Sequence, residues 1–332
     1  MKKSLIALVA LVAGLACCAQ ARKAYPCYVD GAFAKVNIRV VDQDGQPVPD
    51  AKIWGGFTTG SRVDDYTLVD GLTNTNGELT VEGKCSEFLR FDVRKEGYYC
   101  TKETISFNRS KAALIVVDGK WQPYGETRTV VLKKILNPIQ IGEFERCSIP
   151  IPVYDKWVGY DFEKKQWLPP YGGGKCSDVL LKFGRVLIHR QFDYKMTMEV
   201  SFTNNPYAGF YQMKEDVFSE RKTAYQADPN ANFSVGRSYV QERHPNAPRT
   251  DNRLDNDSYL IFRTRTRIDE KGRLISAHYG IIRGRWSFFS SMLSGGFLFN
   301  PTPNDTNLED AETARRSRLA YRQSRELEWR HK

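Results

Sequence analysis

The sequence predicts an all-β protein, two β-sandwich-like domains followed by a C-terminal helix. Three observations carry that expectation. Apolar and polar residues alternate with a period of two in a series of short runs, the pattern of half-buried strands. Turn signals rich in Asp, Asn and Gly separate those runs. A long helical pattern emerges only over 308–330. The chain has 332 residues, room for two domains at about 100–200 residues each. Its 41% hydrophobic content supports a packed core and excludes a disordered or collagen-like chain.

Residues 1–21 read as a secretory signal peptide rather than as part of the fold. Lys2 and Lys3 make a basic start, 5–16 is an apolar run broken only by Gly14, and Ala19-Gln20-Ala21 offers small residues for cleavage. The run is shorter than the roughly 20 residues that span a bilayer, and no later segment approaches that length, so no transmembrane span is expected. Leu15-Ala16-Cys17 also fits the end of a bacterial lipoprotein cleavage motif, which would leave Cys17 as a lipidated first residue, although Gly14 stands where a larger aliphatic is usual. Soluble export and a lipid anchor both stay open. Either places the mature chain in the periplasm, the outer envelope or outside the cell.

Losing Lys2 and Lys3 lowers the formal charge from +10 to +8, so the basic balance belongs to the mature protein. The basic residues are dispersed and the chain is exported, which argues against a nucleic-acid partner. Seven cysteines fall to five beyond residue 21: Cys27, Cys85, Cys100, Cys147 and Cys176. Export permits disulfides, and Cys85 and Cys100, which flank one strand, are the expected pair. The odd count leaves a thiol over. With no Cys-x-x-Cys and four histidines, neither a metal site nor another cofactor is expected.

The first domain spans 34–136. Val36, Ile38 and Val40 share one face of a strand over 36–41. Asp42-Gln43-Asp44-Gly45 turns the chain, and Val48, Ala51 and Ile53 restart the pattern. Asn74-Thr75-Asn76-Gly77 turns it again into a strand at 78–81. Strands follow over 88–93, 112–117 and 127–132, with a loop at Lys95-Glu96-Gly97-Tyr98. The segments Val40-Val41-Asp42-Gln43-Asp44-Gly45-Gln46-Pro47-Val48, Thr75-Asn76-Gly77 and Val93-Arg94-Lys95-Glu96-Gly97-Tyr98 resemble the carboxypeptidase regulatory-like (transthyretin-like) domain over about 34–117. The resemblance implies a non-catalytic β-sandwich module beside another domain on an exported protein. No His-Glu-x-x-His or His-x-x-Glu accompanies it, so it implies a scaffold and not a peptidase.

Asn137-Pro138 opens a connector through Pro152, and a second β-rich domain occupies 150–306. Gly172-Gly173-Gly174-Lys175-Cys176-Ser177 lacks the spacing of a phosphate loop and reads as a flexible surface turn. Met196, Met198 and Val200 share one strand face and read as core. The polar stretch 211–257 reads as a long loop excursion, helical around 214–220. A hairpin follows. Leu260, Phe262, Thr264, Thr266 and Ile268 make one face; Ile261, Arg263, Arg265 and Arg267 make the other, turning at Asp269-Glu270-Lys271-Gly272. An arginine face is either cross-strand support for acidic neighbours or a donor fork for an anionic surface such as a polysaccharide or phospholipid headgroups.

The helix over 308–330 carries Glu309, Asp310 and Glu312 in its first turns and Arg315, Arg316, Arg318, Arg322 and Arg325 after them. It reads as a docked or exposed terminal element, or as an interaction tail. Leu132-Lys133-Lys134-Ile135-Leu136-Asn137-Pro138, Val158-Gly159-Tyr160-Asp161, Trp167-Leu168-Pro169-Pro170-Tyr171-Gly172 and Asn300-Pro301-Thr302-Pro303-Asn304-Asp305 together resemble uncharacterised exported bacterial proteins with the same type of N-terminal domain. That likeness supplies no mechanism.

The function these features predict is non-catalytic binding or a structural role in the bacterial envelope, with glycan or another envelope component as partner. Arg263, Arg265, Arg267, Trp167 and Tyr171 are the candidate ligand-binding residues, with Trp121 a further aromatic able to stack on sugar rings or to sit in a core. The alternative is a glycoside-active or other hydrolytic enzyme. Asp161, Glu199, Glu215 and Asp257 are the carboxylates available to it. His189, His244, His278 and His331 sit in unrelated settings, and no Gly-x-Ser-x-Gly elbow is present.

Overall fold

The computed structural model describes residues 31–59, 65–107, 116–189, 192–202, 207–289 and 291–330. The expected signal peptide at 1–21, Cys17, Cys27, His331 and most of the strand expected at 112–117 lie outside the described residues. The chain divides into two compact units. The first runs through Ile135 and adds Phe218–Glu220 and the segment from Arg315; the second comprises Leu136–Val217 and Arg221–Ala314. The second unit thus begins ahead of the expected residue 150. Among the described residues, no helix is long and apolar enough to cross a membrane.

The first unit is built from β1 (Ala32–Asp42), β2 (Lys52–Thr58), β3 (Tyr66–Leu72), β4 (Glu78–Cys85), β5 (Phe88–Arg94), β6 (Thr101–Ser106), β7 (Val116–Val117), β8 (Lys120–Trp121) and β9 (Glu126–Leu132). One sheet runs β4-β1-β8-β7, with β9 also paired to β1; the other runs β3-β2-β5-β6. β1 pairs antiparallel with β4 and parallel with β9. The alternation puts Val36, Ile38 and Val40 of β1 and Leu89, Phe91 and Val93 of β5 into one core with Ile53 and Phe57 of β2. Burying each such side chain contributes about 1.5–3 kcal/mol.

The two predicted turns are demanding ones. The Asp42 carboxylate accepts the Asp44 and Gln46 amides, each at 2.9 Å, and Lys134 at 2.7 Å. Gly77 has φ +74°, and a Cβ there would lie 2.4 Å from the Val40 carbonyl oxygen. Strands β3 and β6 lie outside the strands the sequence predicts. β3 sends only Val69 deep into the core, and β6 buries Thr101 and Glu103 where apolar residues would mark the period.

The expected Cys85–Cys100 disulfide is absent; both are buried free thiols. Cys85 Sγ donates to the Phe88 carbonyl at 3.3 Å, whereas Cys100 precedes Thr101, which pairs with Val93. The thiols therefore stand at opposite ends of β5, whose seven residues span roughly 20 Å. A disulfide needs Cα atoms within about 7 Å. Flanking a strand separates two cysteines by its length. Burial pushes each thiol up to about 12.

The second unit contains β10 (Gly142–Pro150), β11 (Trp157–Asp161), β12 (Gln166–Trp167), β13 (Val179–His189), β14 (Asp193–Ser201), β15 (Gly209–Lys214), β16 (Gly236–Arg243), β17 (Thr250–Asp251), β18 (Ser258–Ile268), β19 (Leu274–Phe289) and β20 (Met292–Phe299). They form a sheet β10-β20-β19-β18-β15 and a sheet β12-β11-β13-β14-β16-β17. Met196, Met198 and Val200 enter the core, as their spacing predicts, with Leu181, Phe183, Phe262 and Phe297. The rings of Phe162 and Phe262 stack at 4.6 Å between centroids. Tyr259, Ile261, Tyr279, Ile281 and Leu298 fill a second cluster with Ala227 and Leu308. β18 is thus buried on both faces over its first seven residues.

Three expectations are corrected here. The connector 137–152 contains β10, paired along β20. The excursion 211–257 contains β16, β17 and most of β15, and 214–220 is not helical. The Gly172–174 turn is a packed one: Cβ atoms at Gly172 and Gly174 would lie 2.5 and 2.9 Å from the Trp167 carbonyl oxygen. Helix α1 (Ala311–Arg330) closes the described chain, and the Asp310 carboxylate caps it by accepting the Thr313 amide at 2.7 Å.

Candidate functional site

The predicted arginine face does not exist as a face. β18 and β19 pair with a register shift between Thr264 and Arg267, and Arg265 at that bulge has φ +50°. A bulge re-aims the side chains around it. Arg263 is buried at 6% exposure. Its Nε donates to the Tyr207 carbonyl and an Nη to that of Pro229 at 2.7 Å, and its guanidinium covers the Phe233 ring at 3.9 Å. Arg265 instead serves three carboxylates. Its Nε and Nη2 donate to Asp178 at 2.8 and 3.0 Å, Nη2 also to Asp161 at 3.1 Å, and Nη1 to Glu163. Only Arg267 is exposed.

Asp161 and Asp178 share one guanidinium nitrogen, so a carboxylate pair is present in the second unit. It is closed to chemistry by its partners. Asp161 accepts the amides of Lys164, Lys175 and Cys176 at 2.8–3.0 Å, and Asp178 accepts the Phe162 amide at 2.8 Å. Both side chains are buried, at 1% and 0% exposure. Burial works against ionised Asp161, but the three amides and Arg265 hold it below the usual carboxylate range. Burial pushes Asp178 up, opposed by Arg265. Burial also works against the Arg265 charge, yet Asp178 and Glu163 raise its pKa. The other candidate carboxylates each meet a lysine: Glu199 bridges Lys182 at 3.2 Å, Glu215 faces Lys222 at 3.9 Å, and Asp257, a backbone neighbour of Glu215, pairs with Lys214 at 2.7 Å.

Among the described histidines, His189 pairs with Asp193 across β13 and β14, and His244 hydrogen-bonds that same residue. His244 hydrogen-bonds Asp193 at 2.7 Å and Glu242 at 2.9 Å, and Glu242 followed by Asp193 raises its pKa. His278 stacks on Phe299; burial and then Arg265 lower its pKa. His189 packs against Phe192. Trp167 is a core residue at 7% exposure, its Nε1 donating to the Pro150 carbonyl at 2.9 Å and its ring meeting Tyr160 edge-on at 5.0 Å. Trp121 is likewise buried, donating to the Cys85 carbonyl at 2.8 Å. Tyr171 is exposed. The predicted set therefore does not assemble: Arg263, Arg265 and Trp167 hold the fold, and Arg267 and Tyr171 remain on the surface.

One exposed aromatic patch lies in the first unit, on the outer face of sheet β3-β2-β5-β6. Trp54, Tyr66, Leu68 and Leu72 expose 39%, 47%, 56% and 39% of their areas. Register places Tyr66 opposite Thr58, Leu68 opposite Gly56 and Trp54 opposite Asp70. The Tyr66 ring lies across Gly56, where a Cβ would come within 2.5 Å of it. Glycine at 56 leaves the room that the Tyr66 side chain occupies. Charged groups border the stripe: Lys52 pairs with Asp70, Arg94 stands 5.7 Å over the Trp54 ring and pairs with Asp92 at 2.6 Å, and Arg90 covers Phe88 at 4.9 Å. The signal was available in Tyr66-x-Leu68-x-Asp70-x-Leu72, an alternation whose apolar members face outward.

No protein family matches the chain, and no curated protein matches it. Among solved structures it is similar to a 3-chlorocatechol 1,2-dioxygenase from Rhodococcus opacus, at 15% identity over 32% of this chain and 61% of that one, with a TM-score of 0.25. It is similar to a catechol 1,2-dioxygenase from Acinetobacter at 14% identity over 32% of this chain and 54% of that one, TM-score 0.24. A DUF3823 family protein from Parabacteroides merdae aligns at 8% identity over 80% of this chain and 99% of that one, TM-score 0.21. The chain thus spans 61% and 54% of the two dioxygenases. At these values the likenesses assign no family and carry no functional argument.

Proposed function

We propose that this is an exported, non-catalytic binding protein of the bacterial envelope whose ligand is a glycan, held on the outer face of the β3-β2-β5-β6 sheet. The observation that carries the reading is the Trp54–Tyr66 stripe, two exposed aromatic rings fixed on a rigid sheet and bordered by Asp70, Arg90 and Asp92. Sugar rings present apolar faces to aromatic rings and hydroxyls to charged neighbours, which is the chemistry this surface offers. The first unit is, in this reading, a carboxypeptidase regulatory-like module. Its support is the two-sheet sandwich and the turns closed by Asp42 and Gly77, which fall in the motif segments. Export, soluble or lipid-anchored at Cys17, rests on the N-terminal sequence.

The hydrolytic alternative is the weaker reading. Its best carboxylate pair, Asp161 and Asp178, is buried and occupied by backbone amides and Arg265, leaving no lone pair facing a substrate. Calorimetric titration of the full chain with a panel of neutral oligosaccharides tests the proposal. At least one is expected to bind saturably, and Trp54→Ala with Tyr66→Ala is expected to weaken it about tenfold or more. Absence of any saturable ligand, or unchanged binding by that double variant, would overturn the platform.

A further inference from the structure

In the first unit, α1 and the β5–β6 loop enclose a cleft of about 370 Å³ lined by Glu96, Gly97, Arg318, Tyr321 and Arg322. Its volume falls in the range of small-ligand sites, about 300–1,000 Å³. Arg318 and Arg322 are one helical turn apart and so share a face of α1. Both are exposed, and among the described residues no hydrogen bond or ion pair engages either guanidinium. The helix that carries them is held in place. Ser317 Oγ accepts the Cys100 amide at 3.3 Å, and Arg94 donates to the Ala320 carbonyl at 3.2 Å. The same Arg94 stands over Trp54, so one side chain braces the cleft and borders the aromatic stripe.

We infer that this cleft binds a sugar residue bearing a carboxylate, so that the glycan of the proposed function is an acidic one. The inference rests on that function and adds the ligand's charge to it. Two guanidiniums supply paired N–H donors matched to a carboxylate. Tyr321 offers a ring edge or face to the sugar, and Glu96 accepts from hydroxyls. Two cations and one anion leave a single net positive charge, suited to a monoanion. A phosphate dianion would bring a second full charge against Glu96.

The test is calorimetric titration of the full chain with a galacturonic acid tetramer, its carboxyl-reduced neutral counterpart, and hexaglutamate. The acidic sugar is expected to bind about tenfold tighter than the neutral one. Arg318→Ala with Arg322→Ala removes that preference and leaves the neutral affinity unchanged. Arg318→Lys with Arg322→Lys keeps the charge without the fork and restores only part of it. Equal affinities for the two sugars, or a preference that survives the alanine pair, would overturn the inference while leaving the aromatic platform standing. Hexaglutamate bound as tightly as the acidic sugar through the same arginines overturns it too, since charge alone would then suffice. Binding of no sugar at all removes both this inference and the function beneath it.

Discussion

Arg265 in the second unit and Arg318 with Arg322 in the first carry the same guanidinium in different company. Around Arg265 three carboxylates converge, two of them buried, and the left-handed backbone at the bulge aims the side chain into them. Around Arg318 and Arg322 the structure places a cleft, one tyrosine and one glutamate. An arginine whose donors are all met by buried acids is part of the scaffold. An arginine that lines a cleft with its donors unmet is available to a ligand. Both sets are arginine-rich runs in the sequence, and only their surroundings separate them.

The sharpest way to break that contrast is to delete each set. Arg265→Ala leaves Asp161 and Asp178 buried without their counter-charge and is expected to cost about 3–5 kcal/mol. Urea unfolding followed by a probe in the second unit reads it, and a loss near zero would put Arg265 among the ligand-facing arginines. Next in size is Gly77→Ala in the first unit. The positive φ and the close Val40 carbonyl predict a loss of about 1–3 kcal/mol, read by the same unfolding with a first-unit probe. An unchanged midpoint would mean the turn is not the clamp described.

A smaller effect separates the histidines. His244 is held above its ordinary value of 6.5 by Glu242 and Asp193, and His278 is held below 6.5 by burial and Arg265. The sign differs accordingly. The stability His244 contributes is fully present below about 6.5, the value an unfolded histidine takes, and is lost as pH rises through its folded pKa. His278 stabilises the fold only while neutral, and its contribution falls away as pH drops from that same value through its lower folded pKa. An NMR titration of the two ring signals should find His244 titrating at the higher pH; the reverse order would undo the environments assigned to both. The smallest effect is on the cleft arginines. Arg318→Ala with Arg322→Ala should shift stability by no more than about 0.5 kcal/mol, and a loss of several kcal/mol would make them scaffold after all.

Much of the fold could be read from the chain because most core strands obey the two-residue period. Val36, Ile38 and Val40 are an example, and Met196, Met198 and Val200 another. β6 escaped because Thr101 and Glu103 occupy inward positions. The site was harder. Alternation along β18 predicts one arginine face, but a single bulge at Arg265 sends neighbouring arginines to different partners, and nothing local marks where a register will shift. Trp167 stands among the candidate ligand-binding residues, yet its loop folds the indole against Tyr160 and Phe183. Trp54 alternates with the core residue Ile53, and the structure turns it outward on the face that carries Tyr66 and Gly56. Outward aromatics and unmet arginines depend on which face of which sheet is covered, a property of tertiary packing.

Hydrogen exchange read by mass spectrometry, with and without a saturating acidic oligosaccharide, tests most directly the claim that ligand contacts belong to the first unit. Protection is expected in 52–58 and 66–72 and along 315–325, with 157–178 and 258–268 unchanged. Protection confined to 157–178 and 258–268 would contradict it and move the site to Asp161, Asp178 and Arg265.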